Sequence, residues 1–300
     1  MHRFATEKSI LQQLPHPDWD RRGIRVLVKR DDLIDPYVSG NKWRKLKYIL
    51  QLARRQNQKG ILTLGGAFSN HLLATAAACR EAGLTSIALV RGDELTAESN
   101  QNLHACAELG MALHFLPRPE YDANGMQAQQ AIWMQRHPHC LFVPEGGAMP
   151  EGLKGCQEIW DEIAEPVHHV FVAQGSTTTS CGLLTGAAAS TTVHVVPVLK
   201  GFDSRAEMHS LLSSLLGDPS LVNSYLRQVA VHAGHHFGGY AKSTPELLDF
   251  IRDCRQRWDL PLDRIYTAKA FHALVDAVEN SAEFDGATVL FLHTGGLFNG

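Results

Sequence analysis

Hydrophobic positions along the chain follow two alternating periods. Short continuous apolar runs, clearest at Ile61-Leu62-Thr63-Leu64 and Ile87-Ala88-Leu89-Val90, predict buried strands. Between them, apolar residues recur at three- and four-residue spacing, which predicts helices. The pattern gives a helix over 70–81 stopped by Gly83, a helix over 101–109 stopped by Gly110, and a strand over 112–116. It repeats as a helix over 127–136, a strand at Leu141-Phe142-Val143, a helix over 152–163 and a strand at Val170-Phe171-Val172-Ala173. A helix over 179–189, a strand over 193–199 and a last strand over 288–292 follow. Strands that are apolar throughout and alternate with helices predict an α/β protein with mostly parallel sheets. No linker, repeat or low-complexity tract interrupts the alternation, so two subdomains, if present, are closely joined.

Composition narrows the picture. A chain of 300 residues, 44% of them hydrophobic, can bury a core large enough for two subdomains. A formal charge of −3 and 8% aromatics, with no basic stripe carrying interleaved aromatics, give no reason to expect a nucleic-acid partner. No apolar run reaches membrane-spanning length. Residues 1–14 lack the apolar core of a signal peptide, so the expectation is a soluble, cytoplasmic protein. Cys79, Cys106, Cys140, Cys156, Cys181 and Cys254 are scattered with no CxxC pair, the usage of a reducing compartment. Most should be buried small hydrophobes. Two histidine clusters, His137 with His139 and Cys140, and His232 with His235 and His236, follow no metal-ligand spacing. They read as loop or surface histidines, and no metal is expected.

Three segments carry chemistry. In Ser39-Gly40-Asn41-Lys42-Trp43-Arg44-Lys45-Leu46, helical spacing places a helix start near Lys42, with Asn41 or Ser39 available to cap it. The positive end of the helix and the neighbouring Arg44 and Lys45 all disfavour a protonated Lys42. A neutral amine is what Schiff-base chemistry requires. The other reading of this segment is a basic, solvated helix start. In Gly65-Gly66-Ala67-Phe68-Ser69-Asn70-His71, two glycines end a strand and a helix opens, so free N–H groups could grip a carboxylate. Ser69 could relay a proton there; equally, Ser69 or Asn70 could simply cap the helix. The third segment, Gly175-Ser176-Thr177-Thr178-Thr179, also joins a strand to a helix and offers amides and hydroxyls to an anion. It matches neither nucleotide-binding glycine pattern.

Taken together, these segments resemble the pyridoxal-phosphate enzymes that include D-cysteine desulfhydrase and 1-aminocyclopropane-1-carboxylate deaminase. The resemblance runs from about Arg25 to Gly296. It also includes Val28-Lys29-Arg30-Asp31-Asp32, Tyr266-Thr267-Ala268-Lys269-Ala270 and His293-Thr294-Gly295-Gly296. It implies the tryptophan synthase β-like architecture, fold type II of these enzymes: two open, mostly parallel twisted sheets flanked by helices. A large domain of residues 1–45 and 159–300 would carry a smaller inserted α/β domain of residues 46–158. The implied cofactor is pyridoxal 5′-phosphate, and the implied assembly a homodimer.

The resemblance also implies roles. Lys42 matches the Schiff-base lysine, and Ser69 the catalytic serine that contacts the substrate carboxylate. Asn70 matches the residue at the cofactor's 3′ oxygen. Lys45 with Gly175, Ser176, Thr177, Thr178 and Thr179 matches the phosphate site. Tyr266 and Tyr240 match active-site tyrosines, and Thr294 is placed to meet the pyridine nitrogen. Two departures bear on function. Thr177 and Thr178 stand where relatives carry glycine, and threonine resists positive φ, so the loop conformation or its phosphate affinity is expected to differ. Thr267 stands where the cyclopropane deaminases carry glutamate, which favours β-elimination from a small amino acid over ring opening. The chain ends four residues after Gly296, where some relatives continue. The alternatives within the fold are ring opening and β-replacement. A relative that binds cofactor or amino acid without turnover is the alternative outside enzymology.

Overall fold

A computed structural model describes residues 4, 6–38, 40–121 and 123–299. Ser39, one of the two expected helix caps, lies outside the described residues. The first half of the chain runs β1 (Leu11–Leu14), α1 (Pro17–Arg21), β2 (Arg25–Lys29), α2 (Asn41–Arg55), β3 (Gly60–Gly65), α3 (Asn70–Ala82), β4 (Thr85–Arg91), α4 (Gln101–Glu108), β5 (Met111–Leu116), α5 (Ala123–Arg136) and β6 (Cys140–Val143). The second half runs α6 (Pro150–Gln157), β7 (His169–Gln174), α7 (Thr178–Gly186), β8 (Thr192–Pro197), α8 (Ser204–Leu216), α9 (Pro219–Leu226), β9 (Val229–Val231), α10 (Pro245–Trp258), α11 (Thr267–Asn280) and β10 (Thr288–Leu292).

The strands form two sheets, a six-stranded one ordered β1-β2-β10-β7-β8-β9 and a four-stranded one ordered β5-β4-β3-β6. Every pairing is parallel except β1 with β2. The apolar runs explain this. Val170, Val172 and Val193 face one core while Phe171 and Val196 face the other, so the large sheet is covered on both sides. One core gathers Trp19 of α1, Cys254 of α10 and Phe271 of α11 with Phe291 of β10; the other gathers Leu184, Met208 and Val222 from α7, α8 and α9. The small sheet is likewise sandwiched, with Leu46 and Ala74 on one side and Trp133 of α5 on the other.

Some expectations are corrected. The helix expected over 152–163 ends at Gln157, and a separate single turn at Trp160–Glu162 follows. That break turns Glu162 toward Arg44 and Lys29, where it serves a buried charge network. The helix expected over 179–189 stops at Gly186, before Ala187 turns extended. Five of the six cysteines are buried and all six are free. His232 is not a plain surface residue: it ends a hydrogen-bonded row, His169–His194–His232, laid across β7, β8 and the end of β9.

Candidate active site

The carboxyl ends of both sheets face one cavity of about 450 Å³. Open parallel sheets place ligands at this edge. Lys42, Ser69, Asn70, Gly175, Ser176, Thr177, Thr179, Tyr240, Tyr266 and Thr294 all line it. Residues more than 200 positions apart in sequence are thereby brought to one chamber. Lys45 and Thr178 are not in the wall. Lys45 is buried behind it and donates to the Gly146 carbonyl at 2.8 Å. Thr178 is fully buried, and its hydroxyl finds no hydrogen-bond partner among the described residues.

Lys42 sits in the first turn of α2. Asn41 does not cap that helix; it is the first helical residue, and Gly40 precedes it at φ 60°, ψ −136°. Asn41 instead makes a bridge: its Nδ2 donates to Thr179 Oγ1 at 2.7 Å, and its Oδ1 accepts from Lys42 Nζ at 2.5 Å. Burial, reinforced by the nearby Lys45 and opposed by Asp263, lowers the Lys42 amine to about 7. The expected contribution of Arg44 is absent. Its guanidinium is paired with Asp31 at 2.7 Å and with Glu162, so its charge is neutralised on the far side of the helix. The Lys29, Asp31 and Glu162 side chains complete this network, with Lys29 2.7 Å from Glu162. The segment Val28-Lys29-Arg30-Asp31-Asp32 thus anchors the helix that carries Lys42 rather than entering the cavity.

Ser69 occupies the N-cap position of α3 in extended backbone, yet its hydroxyl makes no capping bond. It is left to face the cavity at the N-terminal end of α3. Two residues on, His71 is fixed by its neighbour. Thr63 Oγ1 donates to the Val143 carbonyl at 2.8 Å, so it must accept from His71 Nε2 at 3.0 Å. Burial, with Lys45 and Lys42 nearby, lowers His71 to about 3. His71 is therefore a neutral wall residue.

The loop before α7 needs no glycine where the threonines stand. Thr177 lies at φ −79°, ψ −11°, and neither it nor Thr178 has positive φ. The expectation of a different loop conformation on that ground is thereby withdrawn. Close packing does constrain two glycines here. A Cβ on Gly175 would stand 2.8 Å from Tyr266 Cε1, and one on Gly146 would stand 2.3 Å from Ser176 Oγ. Tyr266 is held by Asp263, whose carboxylate accepts from the Tyr266 and Thr267 backbone N–H groups. Its hydroxyl donates to that of Tyr240 at 3.4 Å, and burial raises it well above the ordinary tyrosine range. Thr267 is fully buried and donates to Asp263 at 2.6 Å, away from the cavity.

Sequence reasoning missed part of the lining on both sides. Arg91 at the end of β4, Tyr121 and Glu145 line the cavity from the small-sheet side, and Phe202 and Glu207 from the large-sheet side. Tyr121 donates to Glu145 at 3.4 Å. Glu145-Gly146-Gly147 follows a strand as Gly65-Gly66 does, so the same turn signal could have found it.

These residues fit pyridoxal phosphate. A partly neutral lysine opens into the chamber, an anion cradle stands at the α7 N-terminus across the Asn41 bridge, and a threonine hydroxyl lies in the wall at position 294. The comparisons agree. A bifunctional D-cysteine desulfhydrase/1-aminocyclopropane-1-carboxylate deaminase of Arabidopsis thaliana is 29% identical, over 96% of this chain and 77% of that protein. The nocardicin C-9′ epimerase of Nocardia uniformis subsp. tsuyamanensis is 32% identical, over 90% of this chain and 86% of that protein. The crystal structure of an ACC deaminase homologue superposes with a TM-score of 0.77 at 28% identity, covering 97% of this chain and 90% of that one. Residues 6–295 match the family described as pyridoxal-phosphate dependent enzyme, and it is to this family that the chain belongs.

Proposed function

We propose that the protein is a deaminating lyase that performs β-elimination on a small amino acid, D-cysteine above all, giving a keto acid, ammonia and sulfide. The observation that carries this is the meeting of a partly neutral Lys42 with the uncapped Ser69 hydroxyl on one cavity wall. Bound pyridoxal phosphate supplies the electron sink for a carbanion at Cα. The chain's own residues do the rest. Lys42 is the attachment point and the base for the Cα proton, its amine freed from Asn41 when the site is loaded. Ser69 and the N–H groups opening α3 hold the substrate carboxylate. Asn70 and Thr294 orient the ring, and the 175–179 loop takes the phosphate. Lys45 acts on that phosphate as a buried charge rather than by contact. Tyr266, with its proton retained, and Tyr240 stand over the substrate side chain.

Thr267 supports elimination over ring opening, since its hydroxyl is committed to Asp263. The negative φ of Thr177 removes the main reason to suspect a relative without turnover. The test is an absorbance spectrum of the purified protein, before and after D-cysteine. A visible band fixed to Lys42 by borohydride, shifted by D-cysteine with release of pyruvate and sulfide, is the expected result. A band that D-cysteine leaves unmoved would reject this substrate.

The division into residues 46–158 and the remainder is also part of this reading, supported by the small sheet lying wholly within 60–143. So are a homodimer and a cytoplasmic, reducing location, the latter supported by six free cysteines. Among the described residues no helix is long and apolar enough to cross a membrane. Light scattering and cell fractionation test these two points.

A further inference from the structure

Lys269 lies on α11 and is fully buried, yet no carboxylate among the described residues is within ion-pair distance of it. A buried ammonium needs its donors satisfied. Here they reach two backbone carbonyls of one loop: Nζ donates to His236 O at 2.9 Å and to Gly239 O at 2.7 Å. That loop is costly to hold. Phe237, Gly238, Gly239 and Ala241 all have positive φ, and two of the four carry side chains. The residue enclosed by this run is Tyr240, which reaches the cavity and accepts from Tyr266. Tyr266 immediately precedes the first residue of α11, the helix that bears Lys269.

We propose that Lys269 is a positioning residue that clamps the Tyr240 loop and fixes the Tyr240 hydroxyl against that of Tyr266. Two charge-assisted bonds from one fixed atom tie the residue before the strained run, His236, to its midpoint, Gly239, just ahead of Tyr240. One helix then presents both tyrosines, Tyr266 at its start and Tyr240 through the ammonium one turn further on. Burial lowers the amine to about 8, with Asp263 opposing, so it is mainly protonated at neutral pH and keeps three donors. The consequence for catalysis rests on the roles given above to Tyr240 and Tyr266; the clamp itself does not.

The test uses cofactor-loaded enzyme and Lys269→Met, which keeps a stem of similar length and removes every donor. Two readouts are needed. Amide hydrogen exchange over 236–241, measured without substrate, should speed up locally while the rest of the chain is unchanged. In the D-cysteine assay kcat should fall by about 10²-fold with KM little altered, the loss expected when a reacting group is displaced by about 1 Å. In a double-variant cycle, Lys269→Met with Tyr240→Phe should be no slower than the slower single variant. Unchanged exchange, or losses that multiply, would overturn the clamp. If exchange speeds up but Tyr240→Phe alone is fully active, the clamp stands and the role given to Tyr240 falls. Should Lys269→Met not fold, Lys269→Gln, which keeps an amide donor, decides. Faster exchange with a smaller loss in kcat supports the clamp, and wild-type values of both reject it.

Discussion

Gly40 and Thr294 meet backbone to backbone: a Cβ built on Gly40 would stand 2.1 Å from the Thr294 carbonyl oxygen. Two residues beyond Gly40 comes Lys42, and Thr294 lines the same cavity. The contact therefore ties the segment that carries Lys42 to the part of the cavity wall that carries Thr294. Gly40→Ala adds a clash to a backbone at φ 60°. We expect a loss of about 3 kcal/mol or more, read as a lower Tm, together with weaker retention of the visible cofactor band. A variant with wild-type Tm and band would show that the close approach is not maintained.

Asp31 is the keystone of the charge network behind α2. It is fully buried and accepts from Arg44 at 2.7 and 3.1 Å and from Ser9 at 2.5 Å. Removing it leaves the buried Arg44 and Lys29 with Glu162, which is partly exposed, as their carboxylate partner among the described residues. Asp31→Ala should cost about 3–5 kcal/mol, because the uncompensated charge costs more than the pair contributes. Urea unfolding measures it. A cost under about 1 kcal/mol would mean that Glu162 alone neutralises both cations.

The alternation of apolar runs and helical periods was enough to place the strands and helices of the small sheet, because each is buried on a defined face. The edges of the large sheet were less legible. In β1, Leu11-Gln12-Gln13-Leu14 is only half apolar, and β9 is three residues long. The strand ends were legible as cavity lining because glycines and hydroxyls cluster there. What periodicity could not give was direction. Nothing in Lys42-Trp43-Arg44-Lys45 says that Arg44 turns to Asp31 while Lys45 stays close enough to depress Lys42. Nor could the run His232 to His236 reveal its partner at His194, 38 residues away.

Thr267 gives a prediction about specificity. Its side chain has no solvent or cavity access, and both its N–H and its hydroxyl go to Asp263 Oδ2, at 2.9 and 2.6 Å. A glutamate there would press a second carboxylate against Asp263 in a buried setting. Thr267→Glu should therefore destabilise the protein, by about 3 kcal/mol, without creating ring-opening activity. Melting curves and ammonia release from 1-aminocyclopropane-1-carboxylate check both halves. A stable variant with new deaminase activity would show that position 267 can swing into the cavity.

The buried histidines predict how stability follows pH. His194 donates to or accepts from His169 at 3.0 Å and His232 at 2.9 Å, and stacks on Phe171. Burial, with those neighbours, lowers it to about 3; His71 is lowered to about 3 as well. In the unfolded chain both would titrate near 6.5. Between these values the unfolded state binds protons that the folded state does not, so stability rises with pH. It is fully present above about 6.5 and is lost as pH falls toward about 3. Each histidine adds a slope approaching about 1.4 kcal/mol per pH unit once pH is well below 6.5. His169, His232 and His272 are lowered in the same sense and steepen it. The Lys269 amine, lowered to about 8, titrates above this window; the Lys42 amine, lowered to about 7, reaches its upper edge and adds to the slope in the same sense between pH 7 and 6. Urea unfolding at pH 7, 6 and 5 should show progressive loss, and His194→Gln, which can keep one neighbour bonded without a proton to gain, should flatten the curve. A stability that does not change over that range would mean that the histidine row gains protons without unfolding.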